Sequence, residues 1–121
     1  YFTNSIKKHR KCYEKNRPKI RRIVQFKNKS KKVRPDIKKI TIEFSQEMDI
    51  DHRGFELGPL GKENVLLIRR FFGFSKDKKS VSFEVELKPN RRYQMTISDK
   101  FRNADGVLLK PYLIDIKTAE N

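Results

Sequence analysis

Val81-Ser82-Phe83-Glu84-Val85-Glu86-Leu87 places an apolar residue at every second position across seven residues. A β-strand turns successive side chains to opposite faces, so this segment needs one dry face and one wet face. A helix of period 3.6 would scatter the same residues around its circumference. The alternation recurs in Ile40-Thr41-Ile42-Glu43-Phe44, in Tyr93-Gln94-Met95-Thr96-Ile97 and in Tyr112-Leu113-Ile114-Asp115-Ile116. Sheets with one apolar face must bury it against a second layer.

Further strand signals lie between these four. Ile20, Ile23, Val24 and Phe26 form a short β-branched run, and Val65–Ile68 with Phe71 and Phe72 form another. Residues 45–64 carry Gly54, Gly58, Pro59 and Gly61, and read as a long irregular connection with a short edge strand near Phe55–Leu57. Turn chemistry separates the runs: residues 76–79, Lys88-Pro89-Asn90 and Asn103-Ala104-Asp105-Gly106. No helical period stands out in the body. These signals predict an all-β chain, an immunoglobulin-like antiparallel β-sandwich of about seven strands over residues 18–121. Residues 1–17 are predicted to be a basic N-terminal lead-in, flexible or briefly helical. Phe71 and Phe72 must face opposite ways in one strand, so one of them leaves the core, and Phe74 is expected to fold over the sandwich end.

Two local features sharpen this reading. Leu87 closes a strand, Pro89 fixes φ and removes a donor, and Asn90 permits a tight turn before Tyr93 opens the next strand. Such a tyrosine can fold back onto the backbone just upstream, forming a tyrosine corner. After Phe44, Ser45 can bond nearby backbone, Met48 can plug the sandwich end and Asp49 can cap the turn.

The string Ile40-Thr-Ile42-Glu-Phe44-Ser45-Gln-Glu-Met48-Asp49 resembles the I-x-F-S-x-x-M-D signature of SbsA-type bacterial Ig-like domains, a family named for an S-layer protein. Ser75-Lys-Asp77, Leu87-Lys-Pro89 with Tyr93, Asp105-Gly106 and Ile116-Lys-Thr118 follow in the same family order. The resemblance implies a noncatalytic two-sheet module of a bacterial cell-envelope or secreted protein. Its location would be periplasmic, cell-surface or extracellular. Its work would be that of a spacer or a protein-interaction domain beside neighbouring domains or other envelope proteins. The chain departs from the family in its basic lead-in and its long 45–64 connection.

Charge adds a second theme. Residues 1–40 hold 16 Lys and Arg against 2 acids, whereas residues 41–121 hold 14 against 13. The net charge of +15 therefore belongs almost wholly to the first third. Lys7, Lys8, Arg10, Lys11, Arg21 and Arg22 are the candidate anion-binding residues. Nucleic acid and acidic envelope polymers or surfaces are the partners such a cluster attracts. No recognisable nucleic-acid module accompanies it. Lys38 and Lys39 are expected to face water or to guard a sheet edge.

Reactive constellations are sparse. Asp49-Ile-Asp51-His52-Arg53-Gly54 opens like a calcium loop, but the twelfth position is Leu60 where a bidentate Glu is needed. Asp99, Asn103 and Asp105 offer oxygens around one loop without a ligand spacing. His52 has no nucleophile elbow, paired zinc motif or phosphate loop beside it. Cys12 sits among Arg10, Lys11 and Lys15, which favour a thiolate, but it has no base and is expected to be a free tail thiol. No catalytic residue, metal or cofactor is predicted. No apolar run approaches the ~20 residues of a membrane-spanning helix. Residues 1–17 contain no apolar signal core, and with Tyr1 at the head a processed chain is expected.

Overall fold

A computed structural model describes residues 17–120. Seven strands are present among them: β1 (Ile20–Ile23), β2 (Lys39–Phe44), β3 (Phe55–Glu56), β4 (Ile68–Phe74), β5 (Ser80–Val85), β6 (Arg92–Ile97) and β7 (Tyr112–Lys117). They form two sheets, ordered β1-β2-β5-β4 and β3-β6-β7, and every neighbouring pair of strands is antiparallel. Lettered A to G along the chain, that order is ABED on one sheet and CFG on the other, the constant-type immunoglobulin arrangement.

The alternating segments set the register. In β5, Val81, Phe83 and Val85 are buried, and Ser80, Ser82 and Glu84 are half-buried on the outer face. Ile40 pairs with Phe83 and Ile42 with Val81 across β2 and β5, so both strands turn the same face inward. Opposite them, Tyr93 and Met95 of β6 pair with Ile116 and Ile114 of β7. A one-residue slip would reverse every one of these faces. At one end, Phe55 meets Phe71, Phe83 and Phe101 edge-on, with ring centroids 5.4–6.1 Å apart, a favoured aromatic geometry.

The run from Val65 to Ile68 is split between the sheets. Leu66 donates its N–H to the Gln94 carbonyl at 3.0 Å, so it lies along β6, and β4 begins only at Ile68. Leu67, 60% exposed, marks the crossing. Further along β4 the register slips twice, between Ile68 and Arg70 and between Phe71 and Gly73. These bulges leave Phe71 half-buried against the core and Phe72 49% exposed. Phe74 packs beside Phe71 and Phe101.

β2 is an interior strand, so Lys39 guards no edge. It stands on the outer face with its ammonium 5.8 Å from the Phe72 ring centroid. β1 stops at Ile23, short of Val24 and Phe26, because the chain then leaves the first sheet for the second. There residues 28–33 run beside β7. Val33 and Thr118 form a parallel bridge, Val33 N–H donates to the Lys117 carbonyl, and Ala119 N–H donates to the Val33 carbonyl.

Gln94 breaks the alternation of β6. It is 3% exposed because residues 57–66 fold over it, and its Oε1 accepts the Leu60 N–H at 2.9 Å. Gly58 makes that cover fit: a Cβ there would lie 2.6 Å from the Gln94 Cβ.

Candidate interaction surfaces

The residues of the family-like string hold the sandwich together. Ile40, Ile42, Phe44 and Met48 are buried. Ser45 ties the start of β1: its Oγ accepts the Lys19 N–H at 2.9 Å and its own N–H donates to the Lys19 carbonyl at 2.8 Å. Met48 bridges to Asn103 at the sandwich end. Asp49 accepts the Asp51 N–H at 2.9 Å and lies 3.0 Å from His52 Nδ1. The Asp51 backbone bond, followed by the His52 contact, holds the Asp49 carboxyl below its ordinary range. Among the described residues, no group of three or more His, Cys, Asp or Glu is placed to hold a metal ion. The Asn103 Oδ1 accepts both Asp105 N–H and Val107 N–H, which shapes the loop that Gly106 completes at φ 85°.

Leu87 is buried, Pro89 sits in an exposed turn and Tyr93 is buried with its hydroxyl bonded back to Lys88. Thr118 closes the same corner from the far side, donating its Oγ1–H to the Lys88 carbonyl at 2.6 Å and accepting the Arg91 N–H at 2.9 Å.

The candidate cations divide. Lys7, Lys8, Arg10 and Lys11 lie outside the described residues, as do His9 and Cys12. Arg21 and Arg22 are exposed on β1. Arg22 makes a two-pronged pair with Glu43, at 2.9 and 3.2 Å, which keeps the Glu43 carboxyl below its usual range. Arg17, placed in the lead-in by sequence, is fastened to the sandwich through the carbonyls of Leu108 and Leu109, at 3.1 and 3.0 Å.

Sequence reasoning passed over Asn28. Its Nδ2 donates to the Leu113 carbonyl at 2.8 Å and its Oδ1 accepts the Asp115 N–H at 2.9 Å. The side-chain amide thus occupies the free edge of β7 as a peptide group would. Its only sequence signal is an amide inside a run of lysines.

Three surfaces result. One is a basic pair of clefts along residues 21–31 and β7. The second is an apolar groove between β3 and β4, lined by Phe55, Leu57, Leu67 and Phe71. The third is the pair of opposite ends of the body that β7 joins, one beside Pro18 and Lys110 and the other beside Asn90 and Ala119. Among the described residues, no helix is long and apolar enough to cross a membrane.

Two solved structures share this fold. One is the crystal structure of the S-layer protein rSbsC(31-844), with TM-score 0.56 and 13% identity. The other is the structure of surface layer protein SbsC, domains 1-6, with TM-score 0.57 and 13% identity. In each case the alignment covers 98% of this chain and 16% of the other, so the chain spans about a sixth of the proteins it matches. The likeness is one of fold. No family model matches the chain, and no curated protein does.

Proposed function

We propose that this sandwich is a noncatalytic structural module of a bacterial cell-surface protein, a spacer that carries tension along its length. One observation carries the reading: residues 30–33, which follow β1, run side by side and in parallel with residues 117–119 at the end of β7. Ser30 O accepts from Lys117 N–H at 2.9 Å, Val33 N–H donates to Lys117 O at 3.0 Å, and Ala119 N–H donates to Val33 O at 2.8 Å. The segment leading into this pair starts at one end of the body, where Lys110 N–H donates to Pro18 O. β7 leaves at the other end, where Asn90 N–H donates to Ala119 O. Residues 110 to 119 span roughly 30 Å at about 3.3 Å per residue.

Tension applied to the two ends pulls these parallel segments in opposite directions. The bonds between them are loaded together in shear. Pulling from one end of the pair would open them one at a time. A module strung between neighbours benefits from the first geometry. The fold shared with two S-layer structures, in which the match is a small part of a longer chain, supports the same reading.

Single-molecule pulling tests it. In the full chain carrying Cys12→Ser, handles at Lys19→Cys and Glu120→Cys load the pair in shear. Handles at Lys32→Cys and Glu120→Cys peel it. The shear geometry should unfold at clearly higher force, and Val33→Pro, which removes one donor, should lower that force. Equal forces in the two geometries would refute the tension-bearing role.

A further inference from the structure

Residues 17–35 contain nine Lys and Arg and no acid. The fold converts this run into two open clefts that share Lys29. One, of about 670 Å³, is lined by Arg21, Val24, Phe26, Lys27 and Tyr112 beside Lys29. The other, of about 590 Å³, continues past Lys29 to Ser30, Lys31 and Lys117, with the Arg92–Asp115 ion pair also in its wall. We infer that the two clefts form one binding track for a linear carboxylated polysaccharide. This inference stands apart from the spacer reading and does not rest on it.

The track is built before any ligand arrives. Asn28 pins its middle to β7 through two hydrogen bonds, and Lys117 N–H to Ser30 O adds a third. Lys29 is held at φ 68°, a left-handed conformation that a lysine adopts at a cost. The pinned Asn28 on one side and the bonded Ser30 on the other keep it there. Fixed cations lose less freedom on binding than cations on a loose loop.

Positive charge is in excess along the track. Among the described residues, Arg21, Lys27, Lys29, Lys31 and Lys117 make no ion pair. Two carboxylates adjoin it and each is paired with an arginine: Glu43 with Arg22, and Asp115, in the wall of the second cleft, with both prongs of Arg92, at 3.0 and 2.8 Å. Five cations without an ion pair against two already paired acids leave a net positive track that attracts a repeated anion.

The floor selects the kind of anion. Val24, Phe26 and Tyr112 make it apolar, while the cations stand around it. A sugar ring carrying a carboxylate offers the matching pair, an apolar C–H face and a charged edge. A single-stranded nucleic acid needs aromatic faces free for base stacking. Here Phe26 and Tyr112 are half-buried and packed against the core. The most open apolar side chain in the cleft is the aliphatic Val24, 44% exposed, which gives a sugar C–H face a contact but gives a base no ring to stack on.

Titration of the full chain with polygalacturonate tests the site, with dextran as the uncharged control and oligo-dT as the competing polyanion. The cleft variant is Lys27→Gln/Lys29→Asn/Lys31→Gln, in which Asn tolerates the left-handed position. The matched variant Lys62→Gln/Lys76→Gln/Lys88→Gln removes the same charge from exposed positions elsewhere. Both must unfold at a temperature close to the parent's. Should the cleft variant unfold early, Lys31→Gln/Lys117→Gln replaces it. The cleft variant should lose about tenfold or more in affinity for polygalacturonate, and the matched variant less than about threefold. Dextran should not bind. Equal losses in both variants would reduce the binding to net charge and overturn the site. Tighter binding of oligo-dT than of polygalacturonate, lost in the same cleft variant, would reassign the track to nucleic acid and overturn the proposal equally.

Discussion

The Tyr93 hydroxyl accepts the backbone N–H of Lys88 at 2.9 Å, five residues upstream across the β5–β6 turn. Thr118 grips the same residue from β7's end through the Lys88 carbonyl. Both backbone groups of Lys88 are thereby satisfied by side chains, and the turn that includes Asn90, at φ 59°, is fixed between them. Tyr93→Phe keeps the ring and removes the acceptor, so it should destabilise the domain by about 1 kcal/mol in urea unfolding. Thr118→Val should cost a similar amount, and the double variant should show coupling of about 0.5 kcal/mol or more. Strict additivity would mean that the two bonds act independently.

Asn28 closes the outer edge of β7 with one donor and one acceptor. Asn28→Ala should leave the Leu113 carbonyl and the Asp115 N–H to water and cost about 1–3 kcal/mol. Amide hydrogen exchange at Asp115 should quicken in the variant while exchange at Met95, in the interior of β6, follows only the global change. Unaltered exchange at Asp115 would show that the edge is protected by something other than this side chain.

These two examples mark what the sequence discloses and what it hides. The faces of β2, β5 and β7 were legible because each has one wet side, and period-2 alternation is the direct imprint of that asymmetry. Tyr93 was legible because a proline turn and a tyrosine sit at a fixed offset. Gln94 was not: its burial comes from residues 57–66 folding over the outer face of β6, a long-range event with no local mark. Leu66 and Ile68 read as one strand because apolar continuity does not record a crossing between sheets. Asn28 looked like one more polar residue among lysines. Its role depends on β7 arriving 85 residues later.

Acid should weaken the fold through a few identifiable carboxylates. The Ser75 hydroxyl and then the Lys79 N–H hold Asp77 below its ordinary range, at 2.5 and 3.1 Å. Arg92 does the same for Asp115, and Arg22 for Glu43. A carboxyl whose folded value is depressed stabilises the native state above its unfolded value and loses that contribution as pH falls through the folded one. The melting temperature should therefore hold from pH 7 to about 5 and drop below about 4, the ordinary carboxylate range. Asp77→Asn should shallow that drop, since one of the groups responsible is gone. A melting temperature level down to pH 2 would contradict the assignment.

Phe71 and Phe72 are adjacent, chemically identical and placed in opposite surroundings by the bulges of β4. Phe71 lies against Phe55 and Phe74, with centroids 6.1 Å away in each case, and Arg53 covers it at 4.3 Å. Phe72 stands on the outer face between Lys39 and Arg70, at 5.8 and 5.7 Å. Phe71→Ala removes a ring from the aromatic end of the core and should cost about 2–3 kcal/mol, reduced from a full core truncation because the site is half-buried. Phe72→Ala loses only exposed cation–π contacts and should cost less than about 1 kcal/mol. Chemical denaturation of the two variants side by side gives the comparison. A reversal of the order would place Phe72 inside and would require β4 to pair with β5 in a different register.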